Sequence, residues 1–591
     1  MFFHHLIKVN KSFITITYCA FNQLVELPIF DYHNNYSFAD VDEHGNSQTS
    51  CSMPDDVGAI TSFKFLYRIL VDMKIDNQDI VNKLPEELQD CNPLTILVEP
   101  LKKRFRYHFM GSKKTNNPLK PEWYLQQVWI WIQRSKTFFD TCITTSKRVG
   151  EHNFPGHSTF CQSLLELTQK KLCNDMPLVI DDDMHFSHLI DEVLLFSKEM
   201  LAQTDSFPVF LQDPNLLPFN VLCDTGVFSR WIDLERKFAF EKIDDMMLKE
   251  GSWSFGFLTS RDEYDTDDDA CNEVSKCVET FVALLQTMTN RYKILGRDQV
   301  LLQLKFVDLQ CELLEDMRMR FAQILRQEFP MSEKFCLILN SSQFLKDILN
   351  SWSEQTLFLK LYYAKDKNDN NSESVMVEYE DPSLFRDVIN GFDFVVKDLV
   401  KTLGDHIVDE VKSRSRPYRK DIRWYSYQLP QVDDINKLDP SPESFGMWQF
   451  LSNSLEHIGK ILSPNLLGAV SRHISAKMDE FFICDVILEN KFNSDGCQQI
   501  SIDISKGLRA ILNNQTNSSF DQLKPHNYDQ LTQVCKILTM NAATAILLND
   551  TITDAETNDK STNISILDEF KLDLLTAEQT VKILKRRIDV Q

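Results

Sequence analysis

The sequence predicts an all-α protein, an elongated rod of stacked helical bundles, on the basis of three observations. Glycine accounts for only 16 of 591 residues, under half of its usual share of about 7 %, although hairpin turns and phosphate loops depend on it. Apolar residues recur at helical spacing over long segments. No fixed repeat of about 20–50 residues is visible, so the common solenoid families are not supported.

Three segments show this helical pattern most clearly. The first, 298–328, ends before Pro330, and its apolar stripe consists of Leu302, Phe306, Leu309, Leu313, Met317, Phe321 and Ile324. The second, 187–204, has one apolar face made of Leu189, Ile190, Val193, Leu194, Met200 and Leu201. The third begins at the capping-box pair Thr576 and Gln579. Its stripe is Val581, Leu584 and Ile588, and the cations Lys585, Arg586 and Arg587 are expected in its last turns.

Five breaks divide the chain. Four are polar segments without apolar periodicity, which we expect to be loops: 39–56, 261–270, 366–375 and 549–564. The fifth, 429–443, contains Pro430, Pro440 and Pro442, which do not fit inside a helix. We therefore predict four parts: an atypical N-terminal segment and loop (1–60), N-terminal bundles (61–260), a middle bundle (271–428) and a C-terminal bundle (440–591).

Composition limits the classes of function. The net charge of −23 argues against general nucleic-acid binding, because that affinity depends on neutralising phosphates. The fourteen cysteines include no C-x-x-C pair, so they are read as reduced thiols rather than as zinc ligands. Polar residues interrupt the apolar stretch 12–25, which argues against a signal peptide. Because no run of 18 apolar residues occurs, we expect no direct membrane insertion.

No pattern for catalysis or cofactor binding is found. Neither G-x-G nor G-K-[ST] occurs, which excludes the kinase and dinucleotide-binding signatures. The nearest match to a nucleophile elbow is 156–160, where Phe160 replaces the glycine that the strained turn requires. We therefore predict a protein that is not an enzyme and has no catalytic or cofactor-binding residues.

The one candidate for a metal site lies at 181–192. His185 and His188 are three residues apart and could share a helix face with Asp191 or Glu192. The spacing differs from that of H-E-x-x-H. Three aspartates before the histidines suit the positive end of a helix dipole, and this structural interpretation is favoured over a metal site.

Two segments are basic. In 102–114 the cations Lys102, Lys103, Arg104, Arg106, Lys113 and Lys114 alternate with Phe105, Tyr107 and Phe109. The other, 412–423, contains Lys412, Arg414, Arg416, Arg419, Lys420 and Arg423. Cations among aromatics can bind nucleic acid or lipid headgroups, so a helical adaptor for nucleic acid or checkpoint partners is the alternative function. Solvated faces or intramolecular partners are the favoured interpretation.

The first basic segment continues into a block, 104–132, that resembles the hallmark of the RINT-one/Tip-twenty family. The matching residues are Arg104-Phe105-Arg106-Tyr107-His108-Phe109, Gly111, Thr115-Asn116, Lys120-Pro121-Glu122-Trp123-Tyr124-Leu125 and Trp131-Ile132. Further blocks resemble the family at 188–196, 231–248, 278–293 and 486–503. The last of these matches at Asn490, Phe492, Gly496, Gln499 and Asp503.

The resemblance implies a helical rod of the tethering-complex (CATCHR-like) class without catalysis. Members of this family are subunits of the Dsl-type tether, so the implied partners are other tether subunits, SNARE proteins of the endoplasmic reticulum and, indirectly, COPI-coated retrograde vesicles. The implied location is peripheral, on the cytoplasmic face of that membrane. Family members are expected to begin with a heptad-rich helix that joins the next subunit, whereas 1–35 shows no heptads.

Two structural expectations complete the interpretation. In the hallmark block, Pro121 should open a helix, and Trp123, Tyr124 and Trp131 should be buried. The part from 440 onward should form its own bundle, far from the N-terminus, and by analogy with the family should contact the SNARE.

Overall fold

The described part of the chain is mainly helical. The computed structural model describes residues 98, 101–149, 156–202, 216–254, 274–295, 299–369, 382–430, 438–516, 529–555, 567 and 569–590. Within them the α-helices are α1 (Pro121–Val149), α2 (Gly156–Val179), α3 (Asp183–Ala202), α4 (Thr225–Leu248), α5 (Lys276–Tyr292), α6 (Val300–Leu325), α7 (Glu333–Ser353), α8 (Thr356–Asp369), α9 (Arg386–Arg414), α10 (Arg416–Lys420), α11 (Phe445–Gly459), α12 (Pro464–Phe481), α13 (Ser494–Ile502), α14 (Ala510–Thr516), α15 (Asp529–Thr539), α16 (Ala542–Ala555) and α17 (Ala577–Leu584).

Shorter helical turns extend or link these helices. Three π-helical turns occur at Arg106–Met110, Phe482–Ile487 and Asp503–Arg509, and 3₁₀ turns occur at Pro218–Cys223, Trp424–Ser426, Pro442–Ser444 and Ile588–Val590. The described residues contain no strand, and Phe492 and Arg587 form an isolated parallel bridge. The all-α prediction is therefore confirmed for the described residues.

The chain divides into two compact units. One comprises the described residues up to Ala239 together with Thr287–Leu309, and the other comprises Phe240–Gln286 and the residues from Gln310 onward. Compactness does not show which segments fold on their own, so the predicted division into four parts stays a prediction.

In the first unit, α1 packs against both α2 and α3. A second part of its core forms around Phe306, whose ring contacts Trp231 edge-on with centroids 5.0 Å apart and stacks on Tyr292 at 5.3 Å. The Trp231 indole nitrogen donates to Glu235 at 3.0 Å. Arg291 pairs with Glu235 and, at 2.7 Å, with Asp191. The blocks 188–196, 231–248 and 278–293 thus each contribute residues to this packing.

In the second unit, α9 is the central helix and packs against α7, α11 and α12. The crossing of α9 and α12 is close: an added Cβ at Gly404 would lie 2.5 Å from Cδ2 of His473. The Nε2 atom of His473 lies 2.8 Å from Oδ1 of Asp405, so a polar contact holds the two helices beside the glycine.

Two of the predicted helices lie almost where the stripes place them. In α6, the residues Phe306, Leu309, Leu313, Met317 and Phe321 are buried, whereas Leu302 and Ile324 at the ends are half-buried. In α3, all the predicted face is buried except Leu201, which is half-buried. Helical periodicity therefore identified the buried faces, and burial is weaker at the helix ends.

The four predicted polar loops lie mostly outside the described residues, and the parts that are described are helical. Segments 39–56 and 261–270 lie outside the described residues. Helix α8 continues to Asp369 and α16 to Ala555, so 366–369 and 549–555 are helical and the loop prediction is wrong there. In α16 the buried side chain of Ile552 packs the last turns of the helix onto the core.

The proline-rich break at 429–443 is confirmed where it is described. Residues 429–430 and 438–441 are not helical, and Pro442 opens a single 3₁₀ turn. Helices before and after the break nevertheless contact each other, since α9 packs against α11 and α12. The break therefore interrupts helix formation without separating the packing of the helices on its two sides.

At the C-terminus, the capping box of Thr576 and Gln579 is confirmed at the start of α17. The cations predicted for its last turns follow the helix, which ends at Leu584. Ile588 is 41 % exposed, so the predicted stripe is wrong at that position. A 3₁₀ turn begins there and breaks the helical spacing.

Within the described residues, no single helix has both the length and the apolar character needed to cross a membrane. The segments Gln530–Thr539 and Ala542–Thr553 reach that length and composition only as a pair, and they are bent by 117°.

Candidate interaction surfaces

The hallmark block builds a buried aromatic cluster. Phe105, Phe109 and Tyr124 are each at most 2 % exposed. The Phe105 ring lies 5.1 Å from that of Phe109 and 6.2 Å from that of Tyr124, between ring centroids. Pro121 is the first residue of α1, which confirms the prediction that it opens a helix. The cluster joins the π turn at Arg106–Met110 to α1, which follows the loop of the hallmark block.

The prediction for the aromatic residues of α1 is confirmed at two of three positions. Tyr124 and Trp131 are buried, whereas Trp123 is 38 % exposed, so the prediction is wrong for Trp123. The buried face of this helix consists of Tyr124, Leu125, Val128, Trp131 and Ile132. Trp123 precedes this stripe by one residue and is therefore turned about 100° away from Tyr124.

A buried ion pair fixes the loop of the hallmark block to α2. The Nζ atom of Lys171 lies 2.6 Å from Oδ1 of Asp175 and 2.6 Å from Oδ1 of Asn116, and the side chains of Lys171 and Asp175 are each 4 % exposed. Burial raises the pKa of Asp175 despite the opposing effect of Lys171. The pair holds Asn116 in place through the ammonium group.

The exposed side of the block is basic and aromatic. Tyr107 is 56 % exposed, and Nζ of Lys113 lies 4.6 Å from the centroid of its ring. Arg106 and Lys114 are exposed as well. The favoured structural interpretation therefore holds for Phe105 and Phe109, whereas Arg106, Tyr107, Lys113 and Lys114 lie on the exposed side of the block.

The two histidines of the metal alternative have carboxylate neighbours. Nδ1 of His185 lies 3.0 Å from Asp182, which also accepts from the His185 backbone N–H. Nε2 of His188 lies 3.1 Å from Glu122 of α1. Asp191 instead pairs with Arg291. Among the described residues, no group of three His, Cys, Asp or Glu side chains could hold a metal ion.

The last family block, 486–503, joins three separate segments of the second unit. Asp503 accepts from the Ser441 backbone N–H at 2.7 Å, from the Ser441 hydroxyl at 2.8 Å and from Gln499 at 2.8 Å. Phe492 donates its N–H to the carbonyl of Arg586 and accepts from the N–H of Ile588. The block thus ties the proline-rich segment and the chain end to α13.

The matching glycine and asparagine of this block are explained by close backbone contacts. The side chain of Asn493 caps α13 by accepting from the Gly496 N–H at 2.8 Å. A Cβ at Gly496 would lie 2.6 Å from the carbonyl oxygen of Trp424. Asn490 donates to the carbonyl of Val486 at 2.8 Å. These residues specify the path of the backbone.

In the second basic segment, three of the six cations contact neighbouring residues. Lys412 and Arg419 lie over the Phe481 ring, each 5.7 Å from its centroid. Arg414 lies 4.2 Å from the centroid of Phe450. Arg416, Lys420 and Arg423 are exposed. The interpretation as intramolecular partners is confirmed for Lys412, Arg414 and Arg419, three of the six cations in this segment.

The sequence analysis missed a buried polar row on α12. Ser471, Ser475 and Asp479 recur every four residues, are at most 6 % exposed, and each has a side-chain oxygen without a hydrogen-bond partner. Burial raises the pKa of Asp479 to about 7, against a lowering effect of Arg509. The four-residue spacing was visible in the sequence, but a row of Ser and Asp is typical of a solvent-facing stripe.

The helical packing and the structural role of the family blocks define a non-repetitive helical-bundle scaffold. The chain matches the RINT-1/TIP-1 family over residues 93–587 and belongs to that family.

Named relatives agree with this assignment. The chain is 27 % identical over 509 residues to the RINT1-like protein of Drosophila melanogaster, a match that covers 85 % of this chain and 65 % of the relative. It is 21 % identical over 523 residues to the protein transport protein tip20 of Schizosaccharomyces pombe, which covers 84 % of this chain and 70 % of the relative. The chain thus spans about two thirds of the length of these relatives.

A solved structure shares the fold. It is the crystal structure of the SNARE Sec20 bound to the Dsl1 complex subunit Tip20, and the TM-score is 0.64 at 14 % identity. The match covers 98 % of this chain and 90 % of that chain. At this identity the similarity shows the fold.

Proposed function

We propose that this chain is a non-enzymatic subunit of a multisubunit tethering complex at the endoplasmic reticulum. In this role it binds SNARE proteins of that membrane and helps to capture COPI-coated retrograde vesicles that arrive from the Golgi. The observation that supports this proposal most directly is the family match over 93–587. The fold supports it, because the similar structure is a Dsl1 complex subunit with a bound SNARE.

The chemistry of a tether suits a helical scaffold. Such a protein works by presenting surfaces to other proteins, and helix-against-helix contacts provide affinity and register without a catalytic group. Exposed apolar side chains on the described helices are candidates for these contacts, since large buried anchors dominate the energy of most interfaces. Peripheral attachment to the cytoplasmic face of the membrane would then depend on protein partners.

The proposal also assigns partners to parts of the chain. The part from 440 onward contacts the SNARE, and the N-terminal part faces the neighbouring tether subunit. In the C-terminal part, α16 presents Leu547, 57 % exposed, next to Ile546, 41 % exposed. In the N-terminal part, Leu178 and Met184 are 69 % and 73 % exposed at the turn between α2 and α3. These pairs allow a matched test in the full chain.

The test measures binding of the full chain to the immobilised cytosolic region of a Sec20-type SNARE. We expect saturable retention, and no retention by the chain after heat unfolding. Ile546→Arg with Leu547→Arg should weaken binding at least about tenfold, because two charges would enter an apolar contact. Leu178→Arg with Met184→Arg should leave it unchanged.

The results of this test distinguish the proposed function from the assignment of partners to the two parts. Absence of binding by the folded wild-type chain contradicts the proposed function. Loss of binding in the Leu178 and Met184 variant, with normal binding by the α16 variant, contradicts only the assignment of partners to the two parts.

A further inference from the structure

The exposed side of the first family block presents cations and one aromatic ring on a single surface. Lys103, Arg106 and Tyr107 are exposed and follow the i, i+3, i+4 spacing that places residues on one side of a helix. The residues that point the other way, Phe105 and Phe109, form the buried cluster. The Tyr107 ring contacts the His108 ring edge-on, with centroids 5.1 Å apart, and lies outside the buried cluster.

The loop that follows adds two more cations and is held in position. The Thr115 hydroxyl donates to the carbonyl of His108 at 2.6 Å, and the Asn116 amide donates to the carbonyl of Gly111 at 2.8 Å. Between these anchors lie Lys113 and Lys114, both exposed. The Lys113 ammonium lies 4.6 Å from the Tyr107 ring centroid, so the loop and the π turn present one surface.

We call this surface the basic–aromatic face; it consists of Lys103, Arg106, Tyr107, Lys113 and Lys114. Residues 101–121 contain seven Lys or Arg and no Asp or Glu, in a chain with a net charge of −23. The local positive field is consistent with His108, whose pKa is lowered by burial and by Arg104 and Lys113.

We propose that the basic–aromatic face binds an acidic segment of a partner protein. Carboxylates of such a segment pair with the lysines, and an apolar side chain packs on the Tyr107 ring, since Tyr and Arg are enriched at the centres of interfaces. This is a contact in addition to SNARE binding, on a different part of the chain.

The short distance over which charges interact in salt favours an acidic polypeptide over an anionic membrane as the ligand of this face. A short segment touches only the local cations, because charges more than about 10 Å away are screened at physiological salt. A membrane is an extended plane that also approaches the acidic remainder of the chain, which it repels.

The second basic segment provides a matched control. Arg416 and Lys420 are exposed and lie four residues apart in α10. Reversing both changes the net charge of the chain by the same amount as reversing Lys113 and Lys114. Any effect of bulk charge is therefore equal in the two variants.

The experiment measures anisotropy of a fluorescent synthetic peptide in which Asp and Glu alternate with Leu, titrated with the full chain at physiological salt. We expect binding that weakens at least about tenfold in Lys113→Glu with Lys114→Glu. Tyr107→Ala should weaken it several-fold, and Arg416→Glu with Lys420→Glu should leave it unchanged. SNARE retention should be normal in all variants, which separates this proposal from the proposed function.

Other outcomes overturn the proposal. Equal weakening in both charge-reversed pairs shows bulk electrostatics, and an unaffected Tyr107→Ala variant removes the aromatic contact. Tighter binding of single-stranded DNA, or of phosphatidylcholine–phosphatidylserine vesicles, than of the peptide at the same salt assigns the face to another ligand. Absence of peptide binding by the wild-type chain also overturns the proposal.

Discussion

At the scale of single residues, glycines in this chain have different roles that only their surroundings reveal. A Cβ at Gly496 would lie 2.6 Å from the backbone oxygen of Trp424, whereas nothing lies within 4 Å of a Cβ at Gly446. Backbone cannot move aside as a flexible side chain can. The first glycine is therefore required by packing, and the second, in α11, is not.

We predict opposite effects of alanine at these two positions. Gly496→Ala should lower the free energy of unfolding by about 2–3 kcal/mol, because the added methyl group forces the Trp424 segment away. Gly446→Ala should raise it by up to about 1 kcal/mol through higher helix propensity. Urea denaturation followed by circular dichroism measures both. A loss of stability at Gly446 equal to that at Gly496 would contradict the packing argument.

Two buried aspartates of the second unit also differ in their surroundings. Asp503 is satisfied by Ser441 and Gln499, whereas Oδ1 of Asp479 has no hydrogen-bond partner. The pKa of Asp479 is raised to about 7, with burial as the largest cause. In the unfolded chain this carboxyl has a pKa of about 4.

A pH dependence follows from Asp479. Between pH of about 4 and 7 the native state holds a proton that the unfolded state has lost, so this group lowers stability as the pH rises through that window. Asp479→Asn should be about 2 kcal/mol more stable than the wild type at pH 8 and no more stable at pH 4. Urea titrations at the two pH values test this expectation.

The control for this prediction is Asp503→Asn. An amide offers the Ser441 donors one fewer acceptor oxygen, so the variant should be less stable at both pH values by about 2–4 kcal/mol. If Asp479→Asn is destabilising at pH 8, its carboxylate has a partner that the structure does not show.

At the scale of elements, loops are fixed by single buried side chains. The Lys171 ammonium connects α2 to the hallmark loop through Asn116. In the C-terminal part, Arg587 is 3 % exposed and donates to the carbonyls of Ile537 and Met540 at the end of α15. A cation at a helix C-terminus also interacts favourably with the dipole. The sequence predicts Arg587 in the last turns of its own helix. In the structure Arg587 stabilises the end of α15 instead.

We predict strong coupling between Lys171 and Asp175. Lys171→Met alone should lower the free energy of unfolding by about 3–5 kcal/mol, because it leaves Asp175 buried without its counter-ion. Lys171→Met combined with Asp175→Leu should recover most of that loss. A double-mutant cycle in urea measures the coupling. Additive losses would show that the two side chains act independently.

At the scale of the whole molecule, charge determines which surfaces the chain can approach. A net charge of −23 repels anionic membranes, and the described helices contain no single membrane-crossing candidate. The proposed tether role therefore relies on attachment to the membrane through protein partners.

We predict that the purified chain does not co-sediment with phosphatidylcholine vesicles that contain about 20 % phosphatidylserine at physiological salt. Addition of vesicles that carry a Sec20-type SNARE should bring it to the pellet. Binding to protein-free vesicles that disappears at high salt would contradict the repulsion argument.

The sequence by itself determined the all-α fold and the buried faces of its long helices. Scarce glycine and apolar residues such as Phe306 and Leu313 at helical spacing were sufficient, because one helix face is a local property of a few turns. The family blocks were recognisable for the same reason, since Pro121 and Tyr124 lie close together in the sequence. The cap formed by Thr576 and Gln579 is local as well.

Only the tertiary structure decided which neighbours these faces meet. Trp123 is exposed beside the buried Tyr124, Gly496 lies against Trp424, and Oδ1 of Asp479 is buried without a hydrogen-bond partner. All three depend on contacts between distant segments. Periodicity reports on one helix at a time, and the environment of a side chain depends on the helices that pack against it. The two sides of the hallmark block, one buried and one exposed, were therefore distinguishable only in the folded chain.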